Sequence, residues 1–225
     1  PQCGLPSPLD HPGPVAGRGH ALNGCATDAA DARPLLAAVV TDLGFGDAGK
    51  GRTVDWLCLT SPAPDRTLVV RAASGHQVGH TVQNDGITHT FANFGSGTLR
   101  GVPTFYGPDT TVFPPAIAAE ARVLDRALAQ HGRGPRGRLL LHPNAQVVTP
   151  ADIAWNRASE RRLGHGSCGV GYGATVVRSR DGVQLAVKDV DFPWVFAEKL
   201  RGVHAYYAAR LDALVVRLRA LESLR

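Results

Sequence analysis

The chain of 225 residues predicts an α/β fold, a largely parallel sheet flanked by helices on both faces, with a P-loop-like phosphate-binding loop after the first strand. Two patterns predict it. Short apolar runs alternate with longer segments of helical period, the order that builds parallel strands with crossover helices. The glycine-rich loops follow strand-like runs, as ligand loops do at the carboxyl ends of strands in such sheets. A chain of this length buries one sizeable core. The folded domain is expected over residues 35–225, behind a Pro-, Gly- and Ala-rich stretch over residues 1–34 that reads as a flexible extension.

Leu35–Val40 is apolar and reads as the first, buried strand. It leads into Gly44-Phe45-Gly46-Asp47-Ala48-Gly49-Lys50-Gly51, and a helix is expected from Arg52 to Leu59. Pro62 and Pro64 break the chain, and Thr67–Arg71 reads as a second buried strand. Asp85-Gly86 marks a hairpin turn between Thr81–Gln83 and Thr88–Phe91. Thr104–Tyr106 and Thr110–Phe113 are short strands, and Pro114-Pro115 open a helix to Gln130 with Ile117, Ala121, Leu124 and Leu128 on one face. Leu139–Leu141 is another strand. Thr149 caps a helix that starts at Pro150 and runs to Leu163. Val183–Val187 reads as a strand, and a last helix from His204 to Leu224 carries a stripe of Tyr207, Leu211, Leu214, Leu218 and Leu221.

The chemistry is carried by three glycine-punctuated loops. In the first, glycines let backbone N–H groups approach an anion, the following helix points its positive end at it, and Lys50 adds a movable charge. Gly44-x4-Gly49-Lys50 satisfies the front of the P-loop pattern, but Gly51 stands where a Mg²⁺-binding Ser or Thr is required. Asp47 is the substitute ligand within the loop. The second loop, Ser74-Gly75-His76-Gln77-Val78-Gly79-His80-Thr81, brings two imidazoles, the side chains suited to proton transfer near neutral pH. The third, Gly164-His165-Gly166-Ser167-Cys168-Gly169-Val170-Gly171-Tyr172-Gly173, suggests backbone approach to a ligand, although a surface loop accounts for it equally well.

The formal charge of +5 suits phosphorylated ligands. No Lys/Arg run and no aromatic-rich strand points to nucleic acid, and none is expected as a partner. Cys3, Cys25, Cys58 and Cys168 form no C-x-x-C pair, which fits a reduced, cytoplasmic setting; no stretch approaches membrane-spanning length.

Taken in order, these loops resemble adenylosuccinate synthetase, the GTP-dependent ligase of purine nucleotide synthesis. The family's W-G-D-E-G-K-G is similar to Phe45–Gly51, and its G-H-N-A-G-H-T to Gly75–Thr81. Its G-T-T-G-R-G-I-G-P matches Gly166–Ala174 more loosely; Ser96-Gly97-Thr98-Leu99 and Phe196–Leu200 with Tyr206-Tyr207 add weaker likeness. The resemblance implies Asp47, Lys50 and His80 as catalytic residues, with Asp47 taking the N1 proton of IMP. GTP and Mg²⁺ would be held by Gly46, Asp47, Gly49, Lys50, Gly51, Gly79, His80 and Thr81, the metal by Asp47 and the Gly79 carbonyl. IMP would meet Asp47, Lys50, Gln77, Ser167 and Cys168, and L-aspartate would be the second substrate of a homodimer.

Departures accompany the match. Ala48 replaces a glutamate, Gln77 an asparagine, Cys168 a phosphate-binding threonine and Val170 an arginine, while Arg178 and Arg180 both qualify for the arginine offered to a neighbouring subunit. The likeness runs from about Leu35 to Leu214, so the expectation is the family's N-terminal portion, shortened or divergent, with fold better kept than activity. A non-catalytic nucleotide- or phosphate-binding relative and a P-loop NTPase are the alternatives.

Overall fold

A computed structural model describes residues 37–222, apart from Asp42, Phe45 and His165. The compact unit begins at Val40. Helix α1 (Lys50–Leu59) precedes strand β1 (Val69–Ser74), and the hairpin β2 (His80–Asn84) and β3 (Ile87–Phe91) leads to the long strand β4 (Thr104–Val112). Helix α2 (Pro114–Gln130), strands β5 (Leu139–Leu141) and β6 (Gln146–Val147), and helices α3 (Pro150–Leu163), α4 (Tyr172–Arg180) and α5 (Pro193–Glu222) complete the order.

The parallel sheet is organised by β4. Its one edge takes β1, with Val69 opposite Thr104 and Arg71 opposite Tyr106. Its other edge takes β5 along Thr104–Tyr106 and then β6 along Thr111–Val112, a turn at His142–Ala145 separating the two short strands. The β2–β3 hairpin forms a separate antiparallel pair. Its turn has Asp85 at φ 47 and Gly86 at φ 82, the two positive values that a tight hairpin turn demands.

Two clusters fill the interior. Val82, Ile87 and Phe91 of the hairpin pack with Phe94, Leu99 and the Leu124/Leu128 face of α2. Tyr106 and Val112 of β4 pack with Val147, Leu185, and Val203 and Tyr207 of α5. Beneath the second cluster lies a buried polar knot. Asp152 closes a capping box with Thr149 at the start of α3 and accepts hydrogen bonds from Arg178 Nε at 2.8 Å and the Tyr207 hydroxyl at 2.7 Å. Arg178 is fully buried and also donates to the carbonyls of Val147 and Val183. Four segments thus meet on one ion pair whose polar atoms are nearly all engaged, the condition under which a buried pair is tolerated.

Several expected elements differ. Leu35 and Leu36 lie outside the described residues, and residues 37–40 of the expected first strand carry no strand structure. The phosphate-type loop therefore does not follow a described strand. The second expected strand runs Val69–Ser74 and is not buried: it pairs with β4 alone, leaving Leu68 and Val70 exposed. The two strands expected on either side of Gly107-Pro108 are one, because the register slips between Arg71 and Ala73 and accommodates the proline. Val183–Val187 makes a single bridge, Ala186 to Gln146, before a 3₁₀ turn over Val187–Asp191. Helix α4 was hidden in the glycine-rich stretch, and α5 starts at Pro193, eleven residues before His204. Of the expected stripe on α5, Tyr207 is buried and Leu211 half-exposed, at 49 %; the side chains of Leu214, Leu218 and Leu221 lie outside the description.

Removing one member of a buried ion pair strands the other's charge. Arg178→Met is expected to cost about 3–5 kcal/mol in urea unfolding, and adding Asp152→Asn is expected to recover part of that loss. A further fall in the double variant would mean that losing the carboxylate as acceptor for Thr149 and Tyr207 outweighs relief of the stranded charge.

Candidate phosphate-binding site

The first loop turns into α1 through Gly49, the N-cap, at φ 76. Asp47 sits in the left-handed region at φ 51 and is exposed; its carboxylate makes no hydrogen bond or ion pair among the described residues. Gly51, in the first turn, is buried for a specific reason. A Cβ there would lie 3.0 Å from the His80 Cβ and 3.4 Å from its backbone. The missing P-loop hydroxyl is thus the result of packing: the start of α1 lies directly on the start of β2.

The second loop is built from the end of β1. Ser74 takes φ 94, a strained value for a residue with a Cβ. The chain then passes through Gly75, where a Cβ would meet Thr111 Oγ1 at 2.3 Å, Gln77 Oε1 at 2.9 Å and the Tyr172 ring at 3.1 Å. Only glycine fits between β4 and α4 at that point. His76 stacks on Phe113 with ring centroids 5.3 Å apart, and Gln77 donates to the Ser74 hydroxyl. Arg71 reaches back from β1 to donate to the Gly75 carbonyl at 2.9 Å.

His76 Nδ1, Gln77 Oε1, His80 Nε2, Thr111 Oγ1 and Thr175 Oγ1 are buried and have no hydrogen-bond partner among the described residues. Such atoms are costly when left alone, and a group of them along one loop is what a polar ligand or ordered water satisfies. The electrostatics point to an anion. Burial, then Arg71, then Lys50 hold the His80 imidazole below its ordinary value; burial and Arg71 do the same to His76. Both histidines are therefore neutral near pH 7, and an arriving negative charge would favour their protonated forms.

The third loop is held differently. Asn156 of α3 donates to the Ser167 hydroxyl and accepts from the Gly171 N–H, and Arg157 donates to the Gly169 carbonyl. Ser167 and Cys168 are exposed. The structure therefore brings the first two signatures together at Gly51 and His80, and the start of α4 to Gly75 through Tyr172, while the described contacts of the Ser167 side chain lie on α3. Arg178 is removed as an arginine offered to another subunit, because it is fully buried on Asp152; Arg180 is exposed. Arg71, Thr111 and Tyr172 were not singled out in the sequence. The one signal for Arg71 was its place as the charged end of an apolar strand just before the histidine loop.

A divalent cation shared with phosphate oxygens asks little of the protein, one or two carboxylates with water completing the shell. The described residues hold no group of three metal-ligating side chains, and the unengaged Asp47 carboxylate, with the exposed Gly79 beside His80, fits that lighter role.

The adenylosuccinate synthetase family model matches residues 39–224. Curated relatives include the adenylosuccinate synthetases of Neisseria gonorrhoeae, 33% identical over 180 residues, covering 78% of this chain and 40% of that protein, and of Psychrobacter cryohalolentis, 33% identical over 176 residues, covering 77% and 39%. The chain thus spans about 40% of the length of these relatives. Among solved structures, the fully ligated adenylosuccinate synthetase from Plasmodium falciparum superposes with a TM-score of 0.57 at 17% identity, over 75% of this chain and 38% of that one, a likeness of fold.

Two outcomes follow from the packing and the charges. Gly51→Ser, which completes the P-loop pattern, is expected to destabilise by about 1–3 kcal/mol through overpacking on His80, read from the urea midpoint. The histidines bind protons less readily folded than at the ordinary value of 6.5. The unfolded chain therefore carries more protons between the folded values and 6.5, so their contribution is fully present above that pH and falls away as pH drops through the window. A His76→Asn/His80→Asn double variant should lose less stability than the wild type on acidification from pH about 7 to about 5, in parallel urea titrations.

Proposed function

Because the chain belongs to the adenylosuccinate synthetase family, we propose that it serves the joining of IMP and L-aspartate, with GTP as phosphoryl donor and a 6-phosphoryl intermediate. The observation that carries the reading is the contact of Gly51 with His80. It sets the first turn of α1, with Lys50, against the start of β2, where the buried Nε2 of His80 has no partner among the described residues.

In this reading the Asp47 carboxylate takes the N1 proton of IMP, and the 6-oxygen attacks the γ-phosphorus of GTP as the bond to the GDP oxygen breaks. Lys50 and the backbone N–H groups around Gly49 and Gly51 spread the charge of the transferring group. His80, neutral beforehand, donates a hydrogen bond to the phosphates and supports departure of GDP. The amine of L-aspartate then attacks C6, phosphate leaves with the 6-oxygen, and a proton is lost from the new nitrogen to give adenylosuccinate. Mg²⁺ at Asp47 and the Gly79 carbonyl would neutralise phosphate oxygens. Gln77, with Ser167 and Cys168, would face IMP. The remaining expectations, a homodimer and a cytoplasmic setting, belong to the same proposal; among the described residues no helix is long and apolar enough to cross a membrane.

A second reading is favoured by the third loop. With Cys168 in the place of a hydroxyl and Val170 in the place of an arginine, two phosphate-binding or orienting groups of the signature are missing, while Ser167, which accepts from Asn156, keeps its O–H to donate. A nucleotide- or phosphate-binding relative that does not catalyse would keep the first two loops and tolerate those losses. A P-loop NTPase has less support, since Gly51 is closed to a side chain by His80.

Phosphate release from GTP with Mg²⁺, measured with and without IMP and L-aspartate, separates these readings. Release that needs both co-substrates supports the ligase, release from GTP alone supports the NTPase, and nucleotide binding without release supports the non-catalytic relative. In a chain that turns over, Asp47→Ala is expected to lower the rate by about 10²-fold or more with an unchanged unfolding midpoint, because the side chain is exposed and makes no described contact. His80→Asn is expected to lower the rate by more than it lowers nucleotide affinity; the reverse would make His80 a binding residue.

A further inference from the structure

Arg71 stands out among the charged groups near the histidine loop. Its NH1 group donates to the Ala92 carbonyl at 2.6 Å and to the Tyr106 hydroxyl at 2.9 Å, and its NH2 group donates to the Gly75 carbonyl at 2.9 Å. The guanidinium carbon lies 4.9 Å from the centre of the Tyr106 ring. Among the described residues every acceptor it uses is uncharged. A half-buried guanidinium normally recruits a carboxylate, and this one places its five-donor fork on two carbonyls and a phenol instead.

Those acceptors are themselves fixed from the other side. Glu120 of α2 accepts from the backbone N–H groups of Ala92 and Asn93, from the Asn93 side chain at 2.7 Å, and shares a hydrogen bond with His89. Burial alone would raise the Glu120 carboxyl; the bonds from His89, Asn93 and Ala92 outweigh it and hold it below its ordinary value. Tyr106 completes the frame, donating its hydroxyl to the Asn93 carbonyl at 2.6 Å. A path of hydrogen bonds therefore runs from α2 through the end of β3 and Arg71 to Gly75, the residue where the chain turns toward His76, Gln77 and His80. The negative end of the path is one peptide away from Arg71, so the positive charge is steadied without being neutralised where it faces the loop.

We propose that Arg71 is the positioning residue of the histidine loop: its fork ties the Gly75 carbonyl to the Ala92–Asn93 turn and presents an uncompensated positive charge to the anion that the loop receives. The proposal rests on reading this loop as a phosphate site and adds the residue that shapes it. Fork and charge have separable consequences. The fork holds the backbone of 75–80; the charge adds to that of Lys50 at the start of α1 in favouring an anion.

Arg71→Lys keeps the charge and loses the fork, and Arg71→Met loses both. In the full chain without nucleotide, hydrogen exchange of amides 76–80 is expected to quicken about tenfold or more in both variants, while the helix α3 amides keep their protection. Affinity for inorganic tripolyphosphate by calorimetry is expected to fall about tenfold in Arg71→Met and by less in Arg71→Lys. Unchanged exchange at 76–80 in Arg71→Lys would overturn the positioning role, as would an unchanged tripolyphosphate affinity in Arg71→Met. Protection lost throughout α3 as well as at 76–80 would overturn it too, by making Arg71 a general structural residue. The exchange and tripolyphosphate readouts need no GTP, so they stand or fall apart from any question of turnover.

Discussion

A helix can begin within van der Waals distance of a strand only if one of them gives up its side chain at the contact. Gly51 does so for α1, lying 3.0 Å from the His80 Cβ when a Cβ is placed on it. That contact holds the positive end of α1 beside an imidazole, and it also closes the position at which a P-loop hydroxyl would stand. Gly75 repeats the device one layer away, pressed among Thr111, Gln77 and Tyr172. Through these two glycines, the first loop, the second loop and the start of α4 share a single backbone geometry, which no one of them can change alone.

Charge is handled in two opposite ways in this small domain. Asp152 and Arg178 are both fully buried, and they neutralise each other while bonding to the Thr149 cap, the Tyr207 hydroxyl and two carbonyls. Nothing in that knot is left over for a ligand; it fixes α3, α4 and α5 to the end of the sheet. Around the histidine loop Arg71 leans instead on neutral acceptors, and polar atoms of His76, Gln77 and His80 go unpaired among the described residues. Isolated buried donors and acceptors cost stability, and their grouping on one loop marks where that cost is returned when a polar ligand or water that can both donate and accept binds.

Much of this was legible in the residues because it depends on local rules. The turn at Asp85-Gly86, the prolines opening α2 and α3, and the Thr149 cap depend on backbone chemistry confined to a few residues, and each stands where it was expected. The order of the first two glycine loops was legible for the same reason. What could not be read was set by distant partners. Val183–Val187 has the composition of a strand but finds only Gln146 to bridge. Thr67–Arg71 was taken as buried because it is apolar, yet β1 has one neighbour and shows Val70 to solvent. Helix α4 was obscured by its own glycines, since Gly171 and Gly173 suggest a loop until Tyr172 is seen packed on Gly75. Arg178 and Arg180 were equivalent by spacing, and only burial separates them. The role of Arg71 lies in three acceptors that are 4, 21 and 35 residues away.

The departures from the family pattern are distributed as this mechanics requires. In the first two loops the packed glycines leave no room for a side chain: one at Gly51 meets His80, and one at Gly75 meets Thr111, Gln77 and Tyr172. Of the positions that differ in the first loop, Ala48 is exposed and Phe45 lies outside the described residues; in the second, Gln77 keeps an amide that donates to the Ser74 hydroxyl. The third loop is anchored by Asn156 and Arg157 through the Ser167 hydroxyl, the Gly169 carbonyl and the Gly171 N–H, two of the three being backbone groups that any side chain would leave intact. Cys168 and Val170 lie between those anchors and can change without disturbing the path of the chain. A fold held in this way can lose phosphate ligands from its third loop while its first two loops keep their shape. The packing that specifies the architecture is thus separate from the side chains that would complete a ligase site, and the two can diverge at different rates.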